Sequence, residues 1–165
     1  MLRWHTRLVL LAVVATTIGC DQMSKRVASA HLMDRAQQSY LGDLVRLEYS
    51  ENTGAFLSLG AGLPWWARTT IFSVGTAFLL IACVVAAFTR GLRPVALFGL
   101  WLLFAGGFSN LVDRALHGRV VDFLNVGIGP VRTGIFNVAD MAIMLGIALV
   151  VGGSRVLGDV EDDRG

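Results

Sequence analysis

Four stretches of this chain are too apolar, and too nearly free of charge, to be ordinary helices or strands of a water-soluble domain. They run over about Leu8 to Val27, whose far end is crowded by Asp21, Ser24, Lys25 and Arg26, then Arg68 to Phe88, Val95 to Leu111 and Phe136 to Val151. Each approaches the roughly 20 residues that cross a bilayer. Hydrocarbon offers no partner to an exposed N–H or C=O, so each stretch must close its hydrogen bonds internally, as an α-helix. Hydrophobic residues make up 55% of the 165 and charged residues only 16%, an excess that belongs to membrane proteins. A net charge of +2 without a Lys/Arg-rich motif leaves no nucleic-acid footprint. Cys20 and Cys83 lie in separate apolar runs, and His5, His31 and His117 stand far apart. Neither a disulfide framework nor a metal site is expected from such spacing.

Short flanks orient the spans. Arg3 and Arg7 precede the first, and "TRGLRP" puts Arg90 and Arg93 between the second and third. By the positive-inside tendency these face the cytoplasm, as do both termini. Connections 30–67 and 113–135 then face outward, with Trp65 and Trp66 as an outer interfacial anchor. Arg114, Arg119 and Arg132 in the second outer connection, and the acidic tail inside, run against the rule. The N-terminal run is read as an uncleaved helix rather than a removed signal, because Thr17 and Ile18 suit a lipoprotein cleavage site poorly.

The outer connections carry structure of their own. Val45, Leu47 and Tyr49 alternate with Leu44, Arg46 and Glu48 at the period of a half-buried strand. Two short β-branched runs flank "GIGP" in the second connection, predicting a strand pair or an ordered loop. The expected fold is therefore an all-α membrane protein. Four transmembrane helices carry a small extracytoplasmic β-sheet between spans one and two and an ordered loop between spans three and four. Residues 1–154 form the single domain, and 155–165 a disordered cytoplasmic tail.

The polar residues of these spans gather at one level. "GGFSNLVDR" closes the third span with Asn110, Asp113 and Arg114, "VVDFL" places Asp122 in the following loop, and "FNVAD" opens the fourth with Asn137 and Asp140. Asn137 and Asp140 are i, i+3 and share a helix face. Asp21 and Lys25, at i, i+4 on span one, reach the same depth, and Asn52 and Gly54 lie in the outer connection. Singly, each has a structural reading. Asp21 with Lys25 makes a local ion pair, Asp113 caps or pairs beside Arg114, Asn137 caps a helix, and Gly106 and Gly107 let helices approach. Together, three carboxylates, an Arg and two Asn on one hairpin exceed what anchoring needs. No Ser–His or Cys–His pair is in reach, whereas two nearby carboxylates can activate water, one protonated and one acting as base. A channel or transporter would need polar residues through the whole depth, and the inner halves of spans two to four are almost wholly apolar.

Five motifs in order, "DQMSK" (Asp21 to Lys25), "NTGAF" (Asn52 to Phe56), "GGFSNLVDR" (Gly106 to Arg114), "VVDF" (Val120 to Phe123) and "FNVAD" (Phe136 to Asp140), resemble lipoprotein signal peptidase, the type II signal peptidase of bacteria. The likeness covers nearly the whole chain, with Ser24 where a Thr is usual. It implies an intramembrane aspartic endopeptidase of the bacterial inner membrane, working near the outer face; a monomer without a cofactor is expected. It implies diacylglyceryl-modified prolipoproteins as substrates, cleaved before the lipidated Cys, with membrane lipid as the other partner. Asp122 and Asp140 would be the catalytic dyad. Asn52, Gly54, Asn110, Arg114 and Asn137 would line the site or hold substrate, Asp21 and Lys25 would support it, and Asp113 would be a neighbour.

Overall fold

The computed structural model of the chain describes residues 4–53 and 63–155. Gly54 and the 156–165 part of the expected tail lie outside the described residues. The element order is α1 (Trp4–Leu32), β1 (Gln38–Tyr40), β2 (Val45–Asn52), α2 (Trp65–Thr89), α3 (Pro94–His117), β3 (Val120–Ile128), β4 (Val131–Arg132) and α4 (Val138–Arg155). The first three helices are each long and apolar enough to cross a membrane. The fourth carries a shorter apolar run, Val138–Gly153.

Local chemistry sets the helix ends. Pro94 stands in the first turn of α3, where its missing N–H costs nothing and its φ is already helical. Gly118 ends the same helix at φ +70°, the left-handed conformation that lets its N–H reach the Arg114 carbonyl at 3.0 Å. Helix α1 runs further than its apolar stretch at both ends. It continues past Asp21 and Lys25 because their side chains are buried against other helices and so do not end it.

Helix α3 is the centre of the bundle, with α1, α2 and α4 all packed on it. A seam of small residues brings α3 and α4 into backbone contact. Gly99 and Gly106 on α3, and Ala139, Gly146 and Gly153 on α4, recur every seven residues and so stay on one face. A Cβ built on Gly99 would fall 2.7 Å from the Gly146 carbonyl oxygen, and one on Gly106 would run into the Ala139 carbonyl. Gly107 turns the other way, where a Cβ would meet Leu80 of α2 at 3.0 Å. The close-packing reading of both glycines therefore stands. We expect Gly106→Ala to lose about 1–3 kcal/mol by prising α3 from α4. Gly75→Ala, in the interior of α2 where a Cβ meets nothing within 4 Å, should not lower the Tm in detergent.

The two connections build one sheet, not a sheet and a loop. Its order is β1-β2-β3-β4, antiparallel throughout. The central pair sets Leu47 opposite Leu124 and then, after a bulge, Ser50 opposite Asp122 and Asn52 opposite Val120. Leu47, Tyr49 and Leu124 rest on Ala28 and Leu32 at the end of α1, with Phe123 buried between. Arg119 pairs with Glu51 at 3.2 Å and Arg132 with Asp43 at 3.5 Å, so these two arginines of the second connection have carboxylate partners in the sheet region.

Candidate active site

At the end of the bundle where α3 finishes, α4 begins and the sheet rests, buried polar side chains form one connected network. It starts from the need to cap α4. Asn137 precedes the helix, and its Oδ1 accepts the Asp140 backbone N–H at 2.9 Å. The Asp140 Oδ2 in return accepts the Asn137 N–H at 3.1 Å. This reciprocal pair is a capping box, with Asn and Asp in place of the commoner Ser and Glu. The Ala139 N–H is met by Asp21 Oδ1 of α1 at 2.8 Å. The cap reading of Asn137 holds, and the same residue also reaches the carboxylates.

Its Nδ2 donates to Asp122 Oδ1 at 2.6 Å and to Asn110 Oδ1 at 3.3 Å. The second Asp122 oxygen accepts Asn52 Nδ2 at 3.0 Å. Asn110 Nδ2 donates to Asp140 Oδ1 at 2.9 Å. Asp122 and Asp140 are thus held from different elements by a shared asparagine, each with both oxygens occupied by neutral N–H donors. Burial first, and then the Asp140 charge, push Asp122 up to about 6, against the lowering by Asn52 and Asn137.

That shift has a consequence for stability. Folded Asp122 keeps its proton to higher pH than the unfolded chain does, so its contribution is full below about pH 3.8 and fades as pH rises through about 6. The total is at most about 3 kcal/mol. Tm in detergent between pH 4 and 7 should therefore fall with a steeper slope in the wild type than in Asp122→Asn. Parallel slopes would contradict the assignment.

Behind this pair stands a second, wholly buried cluster. Lys25 Nζ lies 2.6 Å from Asp21 Oδ2, 2.6 Å from Asp113 Oδ2 and 2.7 Å from Asn110 Oδ1. Asp21 is 0% exposed and Lys25 5%, so the i, i+4 pair is no surface ornament; it joins α1 to α3. An ammonium only donates, so Lys25 fixes Asn110 with its oxygen inward and its amide toward Asp140. Asp113 pairs with Lys25 rather than with Arg114 beside it, because it lies on the α3 face turned to α1. Two further members escaped the sequence reading. Gln22 Nε2 donates to Asp113 Oδ1 at 2.8 Å and to Ser109 Oγ at 3.0 Å, and Ser109 donates to Asp21 Oδ2 at 2.7 Å. Gln22 sits inside "DQMSK", which was the available signal. Arg114 reaches the Asn110 carbonyl at 3.5 Å, while its Nε is buried without a partner among the described residues. No group of three or more His, Cys, Asp or Glu able to hold a metal occurs among the described residues.

So Asp21, Lys25, Asn52, Asn110, Asp122, Asn137 and Asp140 converge on one network, with Arg114 at its edge. Residues 13–154 match the family model described as signal peptidase (SPase) II. The chain is 37% identical over 150 residues to a lipoprotein signal peptidase of Leifsonia xyli, covering 86% of this chain and 65% of that protein, just under two thirds of its length. It is 34% identical over 147 residues to one of Chlorobium phaeobacteroides, covering 83% and 89% respectively. A solved structure of a bacterial membrane enzyme superposes with a TM-score of 0.78 at 25% identity, covering 93% of this chain and 90% of that one. A second superposes at 0.75. A matched region that takes in both carboxylates, relatives of one kind and a shared membrane fold agree: the chain belongs to the signal peptidase II family.

Proposed function

We propose that this protein is an intramembrane aspartic endopeptidase that removes the signal peptide from diacylglyceryl-modified prolipoproteins by cleaving before the lipidated Cys. The observation that carries the reading is the meeting of Asp122 and Asp140 through Asn137, in a chain of the signal peptidase II family. One carboxylate, ionised, takes a proton from a water held between the two. The resulting hydroxide attacks the carbonyl carbon of the scissile bond while the other carboxylic acid protonates the carbonyl oxygen. When the tetrahedral diol collapses, the C–N bond breaks, the new amine takes the proton that the first carboxylate had drawn from water, and the second carboxylate takes a proton back from a diol hydroxyl, so the pair returns to one shared proton. The family resemblance and the buried pair together support this acid–base route.

The neighbours have supporting tasks in the same reading. Asn52, Asn110 and Asn137 orient the two carboxylates without adding charge. Arg114, whose Nε has no partner among the described residues, holds backbone or headgroup oxygens of the substrate. Gly54 belongs with the substrate-contacting residues by the resemblance alone. Asp21 and Lys25 keep the ends of α1, α3 and α4 together. Four spans with both termini in the cytoplasm put the network at the outer face, where the anchored lipid of a precursor and the aqueous side meet.

The test is a gel-shift cleavage assay with purified protein in detergent. A diacylglyceryl-modified precursor should lose its signal peptide, and the unmodified precursor should not. If the modified precursor keeps its mobility under conditions where an authentic signal peptidase II works, the proposal fails.

A further inference from the structure

Helices α1 and α2 both lie against α3 but, among the described residues, not against each other. At the end of the bundle opposite the carboxylates this leaves an open wedge of about 800 Å³. Leu11 of α1 and Phe88 of α2 form its sides, Trp101 and Phe104 of α3 its floor, and Arg7 and Arg90 stand at its rim. In a bilayer acyl chains fill the apolar part of such a wedge, and the Trp101 Nε1–H in its floor is buried without a partner among the described residues. The rim decides which lipid.

Both guanidiniums are exposed, and neither has an ion-pair or side-chain hydrogen-bond partner among the described residues. They sit near the first turn of α1 and at the C-cap of α2, hence together at one membrane surface. A guanidinium matches a phosphate with two parallel N–H donors, and two of them near the low-dielectric interface favour a headgroup whose charge is not cancelled by its own ammonium. Acyl-shaped walls below an unpaired cationic rim therefore describe one ligand class. We infer that this wedge is a binding site for an anionic phospholipid of the leaflet at the Arg7 and Arg90 end, separate from the site that handles substrate.

The experiment is native mass spectrometry of the full chain released from nanodiscs of equimolar phosphatidylglycerol and phosphatidylethanolamine. The wild type should retain one phosphatidylglycerol in preference to phosphatidylethanolamine by about 10- to 30-fold, the effect of two interfacial arginines. Arg7→Gln/Arg90→Gln should reduce the preference to less than about 2-fold. Its signal-peptide cleavage in detergent should match the wild type, which shows that the variant is folded. Equal retention of the two lipids by the wild type, or an undiminished preference in the double variant, overturns the site. The acidic C-terminal segment is the rival occupant. A preference that emerges only when Asp159→Asn, Glu161→Gln, Asp162→Asn and Asp163→Asn are combined would give the rim to that segment and also overturn the proposal.

Discussion

Asp140→Asn and Asp122→Asn should each cut signal-peptide removal by about 10²–10⁴-fold while leaving a folded protein. Neither amide can act as base, and neither can carry the shared proton. The structural damage is smaller, and the network says where it falls. In Asp140→Asn the new amide nitrogen must face either the Asn110 amide or the Asn137 N–H, both donors, so part of the α4 cap is lost at about 1 kcal/mol. In Asp122→Asn it must face the amides of Asn52 or Asn137. Asn137 cannot flip to help, because its oxygen is committed to the Asp140 N–H. A single-turnover cleavage assay beside a detergent melting curve separates the two effects. Wild-type rates in either variant would sink the dyad; a collapsed melting curve would instead make the residue structural.

The largest loss of stability is expected from Lys25→Met. The substitution removes one ammonium from between the Asp21 and Asp113 carboxylates, both buried, and leaves them facing each other. Removing one partner of a buried ionic cluster costs about 3–5 kcal/mol, mostly the penalty of the charges left behind. That is a large share of a stability of about 5–15 kcal/mol, and Tm should fall on the order of 10 °C. Activity should fall as well, since Asn110 loses the donor that fixes its amide toward Asp140. Adding Asp113→Asn to Lys25→Met should restore part of the Tm by removing one uncompensated charge. If Lys25→Met melts with the wild type, the cluster is not what holds α1 to α3.

The fold and the site are legible in the sequence to different depths. The apolar runs located all four helices, because hydrophobic length is a local property that lipid enforces. The level of Asp122, Asp140, Asn110 and Asn137 was legible too, since a hairpin must bring its own ends together. Pairings between distant segments were not. Asn52 and Asp122 are 70 positions apart, and nothing in "VRLEYSEN" announces that its partner is the strand that follows α3. That is why one continuous sheet replaced the expected sheet and loop. The pairing role of Asp113 was legible, but its partner was not, for a related reason. Its sequence neighbour Arg114 suggested a partner, but adjacent helical residues point about 100° apart, and α1 supplies Lys25 instead. Gln22 went unnoticed because an uncharged amide in a span looks incidental until the carboxylate it serves is known.

The bulge in β2 carries a last consequence. Before it, odd-numbered residues of β2 lie across from even-numbered residues of β3, as Leu47 does from Leu124. Beyond it, even faces even, as in Ser50 with Asp122. The extra residue thus works as a parity switch. It lets the first half of the strand present its apolar side to the end of α1 and the second half present Asn52 to Asp122. Side chains in the stretch between can vary, but its length can change only in twos. One residue more or fewer would exchange the two faces and carry the Asn52 amide away from the carboxylate.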